Sequence, residues 1–347
     1  MTTAIATAPL LVRACRREPV DHTPVWFMRQ AGRIFPEYRA LRERHGILEM
    51  AKVPELCATV TMLPVTRLGV DAAVLYADIM LPLEGMGVSF HLEPEVGPIV
   101  ERPLRSSEDV GRLRIIRAEE ATPYLFDAIR WLRRDLPRGV ALIGFAGAPF
   151  TLASYLIEGR PTRDFARTKA LLFREPETWA RLMDTLAEVL SRYLHAQVDA
   201  GVDVVQLFDS WAGALSPRDY ARAVLPWSRR VFASLRGRGV PRIHFATMSA
   251  GVLELMAAAD CDVVSVDWRV GLDDAWARIG DRGIQGNLDP ATLLGGFAVA
   301  ADAARDILSR AGGRPGHVFN LGHGVLPETD PDDLARLVEL VHAETAR

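Results

Sequence analysis

The sequence predicts an α/β protein built as one closed (β/α)8 barrel, and two features of the chain support this prediction. Short apolar runs, rich in β-branched residues, alternate with longer segments of helical period through all 347 residues. The runs are almost continuously apolar, which is typical of parallel strands covered by helices on both faces. A doubly wound open sheet is the alternative, but no GxGxxG motif follows the first run.

Eight strands are predicted from the apolar runs. They cover residues 24–28, 71–77, 140–146, 202–208, 242–246, 262–267, 282–286 and 317–322. Because no change of composition divides them, we expect a single domain over residues 1–347. The segment 85–106 after the second strand is punctuated by proline and glycine, and we expect it to form a short excursion from the barrel.

Three of the intervening segments carry clear helix signals. One has an apolar stripe at helical spacing, ended by Gly201: Trp179, Leu182, Met183, Leu186, Val189, Leu190 and Tyr193. A second helix is predicted to begin at Thr122-Pro123, a capping residue followed by proline. The last is predicted to begin at Asp330-Pro331 and to bury Leu334, Leu337, Val338 and Val341.

Charge and cysteine content exclude several classes of protein. The net charge is -3, which argues against a broad nucleic-acid surface. Cys15, Cys57 and Cys261 are odd in number and far apart, so we expect neither a disulfide framework nor a cysteine metal site. Such cysteine usage fits the reducing cytoplasm.

The stretch 140–157 carries no charged residue and reaches the length of a membrane-helix candidate. Its middle, GFAGAPFT, contains two glycines and a proline, which favours a strand, a turn and a helix. The N-terminus has no basic residue before its short apolar stretch and is a poor signal peptide. We therefore expect a soluble cytoplasmic protein without a membrane segment.

Polar residues follow the predicted strands at the same end. In chain order they are Arg29, Gln30 and Arg33, then Asp78, Tyr155, Asp209 with Ser210, Thr247, Asp267, Asn287 and His323. The carboxyl ends of barrel strands are where catalytic and binding residues lie, so this pattern indicates an enzyme or a ligand site.

Each of these residues also has a structural interpretation. Arg29 and Arg33 could simply pair with carboxylates at the rim, and Asp78 or Ser210 could cap a helix. Tyr155 could belong to the core. Two arginines around Gly32 are less easily explained this way, because glycine allows a ligand or a backbone to approach closely. GxSxG, P-loop and HExxH motifs are absent, and an arginine-rich set around one carboxylate suits a polyanionic ligand.

Seven segments give the chain a close resemblance to the uroporphyrinogen decarboxylase family over nearly its full length. They are PVWFMRQAGRIFPEYR, YADIMLPLEGMG, GFAGAPFTLASYLIEG, QLFDSWAGALSP, VDWR, QGNLDP and FNLGHGVLPETDP. The resemblance implies a homodimer of (β/α)8 barrels. It also implies decarboxylation of the four acetate side chains of uroporphyrinogen, in porphyrin and haem biosynthesis, without a metal or an organic cofactor.

Carried over by position, the resemblance implies the following substrate-binding residues: Arg29, Gln30, Ala31, Gly32, Arg33, Asp78, Tyr155, Ser210 and His323. Asp78 is the implied catalytic carboxylate, and Arg29 is our candidate proton donor. Two departures stand out. Ile34 and Phe35 replace the family's YL after RQAGR, and TMSAG replaces a TGTG-like turn after the fifth strand. We expect the first to change packing only.

Two alternative functions stay open on the sequence. A corrinoid-linked methyltransferase on the same barrel would need a zinc-ligating cysteine two residues after His244, and Ala246 stands there. A tetrapyrrole carrier would use the arginines but would have no use for Asp78.

Overall fold

The computed structural model describes residues 8–94 and 96–347, and its centre is a seven-stranded parallel sheet. The strands are β1 Ala72–Val74, β2 Phe90–Glu93, β3 Gly97–Val100, β4 Ala141–Gly147, β5 Val204–Phe208, β6 Arg242–Phe245, β7 Val263–Ser265, β8 Gly283–Leu288 and β9 His317–Leu321. The order in the main sheet is β1-β4-β5-β6-β7-β8-β9, so β1 pairs with β4 and each later strand pairs with the next one along the chain. Parallel neighbours of this kind require helical crossovers.

The helices connect and cover these strands. They are α1 Leu10–Cys15, α2 Pro36–Arg42, α3 Ile47–Lys52, α4 Pro54–Leu68, α5 Leu81–Gly85, α6 Ser107–Gly111, α7 Ala118–Ala121, α8 Pro123–Asp135 and α9 Pro149–Glu158. After these come α10 Ala166–Arg174, α11 Pro176–Ala200, α12 Pro217–Ala223, α13 Leu225–Ser234, α14 Leu253–Ala257, α15 Leu272–Ile279, α16 Phe297–Ala311 and α17 Pro331–Thr345. Short 3₁₀ turns lie at Ala212–Ala214, Ser249–Gly251 and Pro290–Gly295.

Seven of the eight predicted strands are confirmed, and the first, at residues 24–28, is not a strand. Only Val25 pairs there, in a single parallel bridge with Phe319 of β9. The reason is local: Pro24 has no N–H, and side-chain oxygens of Gln30 and Asn320 take the amides of Phe27 and Met28.

The segment 24–28 nevertheless contacts both edges of the curled sheet. The Trp26 amide donates to the Phe319 carbonyl at 3.4 Å, and the Asp71 amide, just before β1, donates to the Val25 carbonyl at 2.9 Å. The chain therefore enters the sheet between β9 and β1, and its next residues emerge at one end of the strands.

The segment predicted as an excursion contains an antiparallel pair of its own. In it β2 and β3 form a separate two-stranded sheet, with Phe90 opposite Val100.

The predicted end of one helix and the predicted starts of two others are confirmed. Helix α11 ends before Gly201, whose φ of 118° suits glycine alone. Helix α8 begins at Pro123, and α17 begins at Pro331 and buries its four predicted apolar residues. The uncharged stretch 140–157 forms β4, a turn and α9. Among the described residues, none of the helices has the length and apolarity that crossing a membrane requires.

A buried polar network links the strands inside the sheet. The Trp26 indole N–H donates to Gln285 at 2.9 Å, and the Gln285 amide donates to Gln206 at 3.0 Å and to Ser265 at 2.8 Å. All four side chains are fully buried, where an unpaired polar group would be costly. The network fixes the segment 24–28 relative to β5, β7 and β8, and so fixes the residues that follow it.

Candidate active site

The predicted site residues lie at the carboxyl ends of the parallel strands, as expected. Asp78 follows β1, Tyr155 lies on α9 after β4, Ser210 follows β5 and His323 follows β9. Arg29 comes directly after the segment 24–28. Because the strands are parallel, these positions share one end of the sheet.

Arg29 has a left-handed backbone, with φ at 58°. Residues other than glycine rarely adopt this conformation, and it persists where the surroundings enforce it, often at functional sites. Gln30 supplies that constraint. Its side-chain oxygen accepts from the Phe27 amide at 2.9 Å, and its Nε2 donates to the Ala72 carbonyl at 2.8 Å. The Gln30 side chain is fully buried and thus supports the turn, with both polar atoms already bonded.

Gly32 allows a close backbone approach. A Cβ on this residue would lie 2.9 Å from the Arg29 carbonyl oxygen, so a side chain would push the turn open. Ala31 is half-buried and packs against the core, whereas Arg33 is exposed. The Arg33 carbonyl accepts from the Arg39 guanidinium at 2.9 Å, which holds the turn onto α2.

Arg29 and Arg33 form no ion pair with a carboxylate of the residues that the structure describes. Both side chains are exposed. Their guanidinium groups can therefore bind carboxylates of a ligand by paired hydrogen bonds.

Asp78 is a half-buried carboxylate near Arg29. Its Oδ1 accepts from the Met80 amide at 2.8 Å. Burial raises the pKa of Asp78, while the Met80 N–H and the charge of Arg29 act to lower it. Burial dominates, so the ionised carboxylate is under-solvated and would gain from hydrogen-bond donors of a ligand.

His323 is a neutral donor at physiological pH. Burial lowers its pKa to about 4, the charges of Arg29 and Arg269 act in the same direction, and Asp267 opposes them. Its Nδ1 accepts from the Gly324 amide at 2.6 Å. The proton of the neutral ring therefore lies on Nε2, which can donate to a ligand.

Tyr155 is buried and keeps its proton. Burial raises the pKa of its phenol, the Asp78 charge raises it further, and Arg29 opposes both. The Tyr155 ring packs edge-to-face against Trp211, with centroids 5.8 Å apart. Ser210 precedes that tryptophan, and its carbonyl accepts from the Thr247 hydroxyl at 2.8 Å.

These interactions bring four predicted residues into one electrostatic cluster: Arg29, Asp78, Tyr155 and His323. Ser210 is connected to the cluster through its neighbour Trp211. The buried Gln30 side chain supports the turn that carries Arg29. Within the part of the chain that the structure describes, Arg33 is joined to the cluster only by its place on the same turn as Arg29.

Two residues of the site were not predicted. The charge of Arg269 acts to lower the pKa of His323. Its guanidinium also pairs with Asp267 at 2.7 Å and stacks 4.3 Å from the centre of the Trp268 ring. Gly324 packs against Arg29, where a Cβ would lie 2.5 Å from the arginine Cδ. Both lie in motifs of the resemblance, VDWR and FNLGHG, but only the folded chain shows what they touch.

The TMSAG loop after β6 has a defined geometry. Met248 has φ at 51°, and its amide donates to Asp267 Oδ2 at 2.5 Å. Gly213 packs against the loop, and a Cβ there would lie 2.6 Å from the Met248 carbonyl oxygen. A methionine thus occupies a backbone conformation that glycine adopts at less cost.

The chain resembles known proteins in sequence over nearly its whole length. The family model described as Uroporphyrinogen decarboxylase (URO-D) matches residues 6–344. Two relatives carry the name uroporphyrinogen decarboxylase. The protein from Carboxydothermus hydrogenoformans is 52% identical over 95% of both chains, and that from Streptomyces coelicolor is 53% identical over 97% of this chain and 94% of its own.

A solved structure of a methyltransferase from Methanosarcina mazei is similar in fold. It covers 97% of this chain and 99% of its own, with a TM-score of 0.80 and 19% identity. The fold is thus shared beyond the decarboxylases, and the sequence relationship decides between them. On the family match and on identity above 50% across nearly the whole length, this chain belongs to the uroporphyrinogen decarboxylase family.

Proposed function

We propose that this enzyme converts uroporphyrinogen III to coproporphyrinogen III by removing carbon dioxide from the four acetate side chains, each of which becomes a methyl group. The observation that carries the proposal is the under-solvated Asp78 beside Arg29 at the carboxyl ends of the strands. The carboxylate of Asp78 can bind the ring N–H groups of this substrate, and the neighbouring cation of Arg29 can bind its carboxylates. The pair therefore suits both parts of the substrate.

The reaction needs an electron sink. When the bond between the acetate methylene and its carboxylate breaks, the electron pair stays on the methylene carbon. Protonation of the pyrrole ring first gives a cationic ring that accepts this pair. A proton then adds to the methylene carbon, the ring loses its extra proton, and a methylpyrrole results. The substrate itself therefore supplies the sink.

Asp78 stabilises the cationic ring in this scheme. Its oxygens accept hydrogen bonds from pyrrole N–H groups, and its negative charge lies where positive charge develops. A preorganised group of this kind contributes roughly 3–4 kcal/mol, or 10²–10³ in rate. The raised pKa of Asp78 shows that its charge is poorly solvated without a ligand, which favours binding of donors.

The other residues bind and orient the substrate. Arg29 and Arg33 hold carboxylates, a task for which the planar guanidinium is better suited than lysine. Neutral His323 and protonated Tyr155 donate hydrogen bonds from Nε2 and the phenol. Arg29 is our candidate for delivering the proton, since its charge acts on Asp78, Tyr155 and His323 alike.

The methyltransferase alternative finds no support in the ligand set around His244. This side chain is fully buried, and its Nδ1 lies 3.3 Å from the Met256 carbonyl oxygen. Ala246, two residues later, offers no metal ligand.

Three further features belong to the proposal. We infer that the segment 24–28 acts as the eighth strand of a closed barrel in a single domain, since it bonds to both sheet edges. We infer a homodimer from the family resemblance, which light scattering on the purified protein tests. The free, buried thiols of Cys15, Cys57 and Cys261 suit a cytoplasmic location.

Asp78→Ala separates an enzyme from a tetrapyrrole carrier. If the protein were a carrier, the Asp78→Ala variant would bind and release uroporphyrinogen as the parent does, because the arginines remain. Our proposal expects turnover to fall by about 10²–10³, the loss of one preorganised charge. Unchanged turnover would refute the assigned role of Asp78.

A further inference from the structure

We propose that His22, Asp71 and His342 form a divalent-metal site, suited to Zn²⁺, at the opposite end of the sheet from the candidate active site. Asp71 lies immediately before β1, whereas Asp78 follows the end of that strand. His342 lies on the last helix, α17, and His22 precedes the segment 24–28. The proposed site is therefore separate from the decarboxylation chemistry.

The three side chains already converge. His342 Nε2 lies 2.8 Å from Asp71 Oδ2, and His22 Nε2 lies 3.4 Å from Asp71 Oδ1. One ligand atom from each residue falls within 4.8 Å of the other two, and this is the one such group of three among residues 8–94 and 96–347. In a tetrahedral zinc site with bonds of about 2.0–2.1 Å, neighbouring ligand atoms are roughly 3.3–3.4 Å apart. Little rearrangement is needed to admit the ion.

The rearrangement concerns the two imidazoles. Their ring centroids are 4.1 Å apart and tilted by 47°. Two rings bound to one tetrahedral zinc fan outward, so we expect their centroids to separate by about 1 Å. Both side chains can move, because they are 29% and 26% exposed.

The donor set suits a first-row metal. Two imidazole nitrogens and one carboxylate are typical zinc ligands, and three protein ligands leave the fourth position to water. Asp71 is oriented by a second interaction, since its Oδ2 also accepts from the Val25 amide at 2.7 Å. Hydrogen bonds of this kind to a ligand strengthen metal sites.

Metal binding would join three distant parts of the chain. The cluster connects α17 to the start of β1 and to the segment before Val25. The same parts meet nearby, where the Thr23 amide donates to the Thr345 hydroxyl at 2.8 Å. A ligand that binds only the folded state stabilises it, so we infer a structural role: the ion would fasten the C-terminal helix to the barrel.

The experiment is zinc titration by calorimetry on full-length protein stripped with a chelator, in parallel with thermal unfolding. We expect one zinc per chain, and a Tm higher by about 3–5 °C when free zinc is 100-fold above Kd. His22→Gln and His342→Gln should each weaken zinc binding by on the order of 100-fold or more. His45→Gln is the matched control, because that half-buried histidine pairs with Glu49 outside the cluster.

The competing interpretation is a hydrogen-bonded His-Asp-His cluster that takes no metal. It predicts no saturable zinc binding, or equal binding by the parent and both cluster variants, and either result overturns the proposal. Should a cluster variant fail to fold, zinc-edge X-ray absorption on the parent decides: two imidazole ligands support the site, and fewer refute it. Decarboxylation by the stripped parent is expected to be unchanged, so this test is independent of the proposed function.

Discussion

The α-carbon of Gly324 lies directly against the side chain of Arg29, so that a methyl group on it would lie 2.5 Å from the arginine Cδ. Glycine at 324 thus leaves room for an arginine whose backbone is held in a left-handed conformation. The loop after β9 and the turn after residue 28 position one guanidinium together.

Gly324→Ala should therefore reduce activity by displacing Arg29. The added methyl group also meets Arg29 Cγ at 2.8 Å, and the flexible arginine side chain can move away without unfolding the loop. We expect kcat/KM for uroporphyrinogen to fall by about 10²-fold, as for a misplaced catalytic group, with a Tm within a few degrees of the parent. Gly251→Ala is the control, because nothing lies within 4 Å of its added methyl group. Equal activity of both variants would show that Arg29 needs no fixed position.

Asp78→Asn should make the protein more stable and less active. Burial raises the pKa of Asp78 in the folded state, so the folded protein favours the protonated carboxyl. The stability that this form contributes is complete below the unfolded pKa, near 4, and is lost as the pH rises through the folded-state pKa. At pH 7 the charge is therefore destabilising, and we expect the variant to gain about 1 kcal/mol in the free energy of unfolding. Turnover should fall by about 10²–10³.

Asp267→Asn provides the contrast in the same measurements. Asp267 accepts hydrogen bonds from the amides of Met248 and Arg269 and pairs with the Arg269 guanidinium, so these partners stabilise its negative charge. That variant should lose stability. A lower Tm for Asp78→Asn would mean that Asp78 is a structural carboxylate.

His323 should remain neutral well below the usual pKa of histidine. Its pKa is about 4 in the folded protein and about 6.5 in the unfolded chain, so the folded state binds fewer protons between these values. The stability it contributes is complete above pH 6.5 and is lost as the pH falls toward 4. Histidine NMR, with His323→Asn to assign the signal, should show no titration of this ring from pH 8 to about 5.5. A midpoint near 6.5 would contradict the neutral-donor role.

Met248→Gly should stabilise the loop after β6 and preserve activity. A left-handed residue with a side chain costs roughly 1–2 kcal/mol, while glycine loses about 0.5–1 kcal/mol in chain entropy. The methionine is 50% exposed, so little burial is lost. We expect a net gain of about 0.5–1 kcal/mol by thermal or urea unfolding. Ala250→Gly, at a residue without a left-handed φ, should be destabilising instead; a loss for both variants would reject the explanation.

The strands were predictable because each is a short apolar run between helical segments. The prediction of a strand at residues 24–28 was wrong because amides of this segment bind side chains outside it. Gln30 lies in the next turn, and Asn320 is 292 residues from Met28. Periodicity within a segment carries no information about such partners.

The site was predictable to a similar extent. Which residues follow each strand can be read from the sequence, and parallel pairing brings them to one end. That Gln30 bonds to the Ala72 carbonyl, 42 residues away, cannot be read in this way. The same holds for His342 and Asp71, which are 271 residues apart and meet only after the C-terminal helix packs on the barrel.

Incubation with uroporphyrinogen III is the decisive measurement. The protein is treated with a chelator, kept anaerobic, and its products are separated by the number of carboxyl groups. The proposed function requires successive products with seven, six, five and finally four carboxyl groups, and a greatly slowed series for Asp78→Asn. Uroporphyrinogen III that stays unchanged in the presence of the folded parent protein would contradict the proposed function.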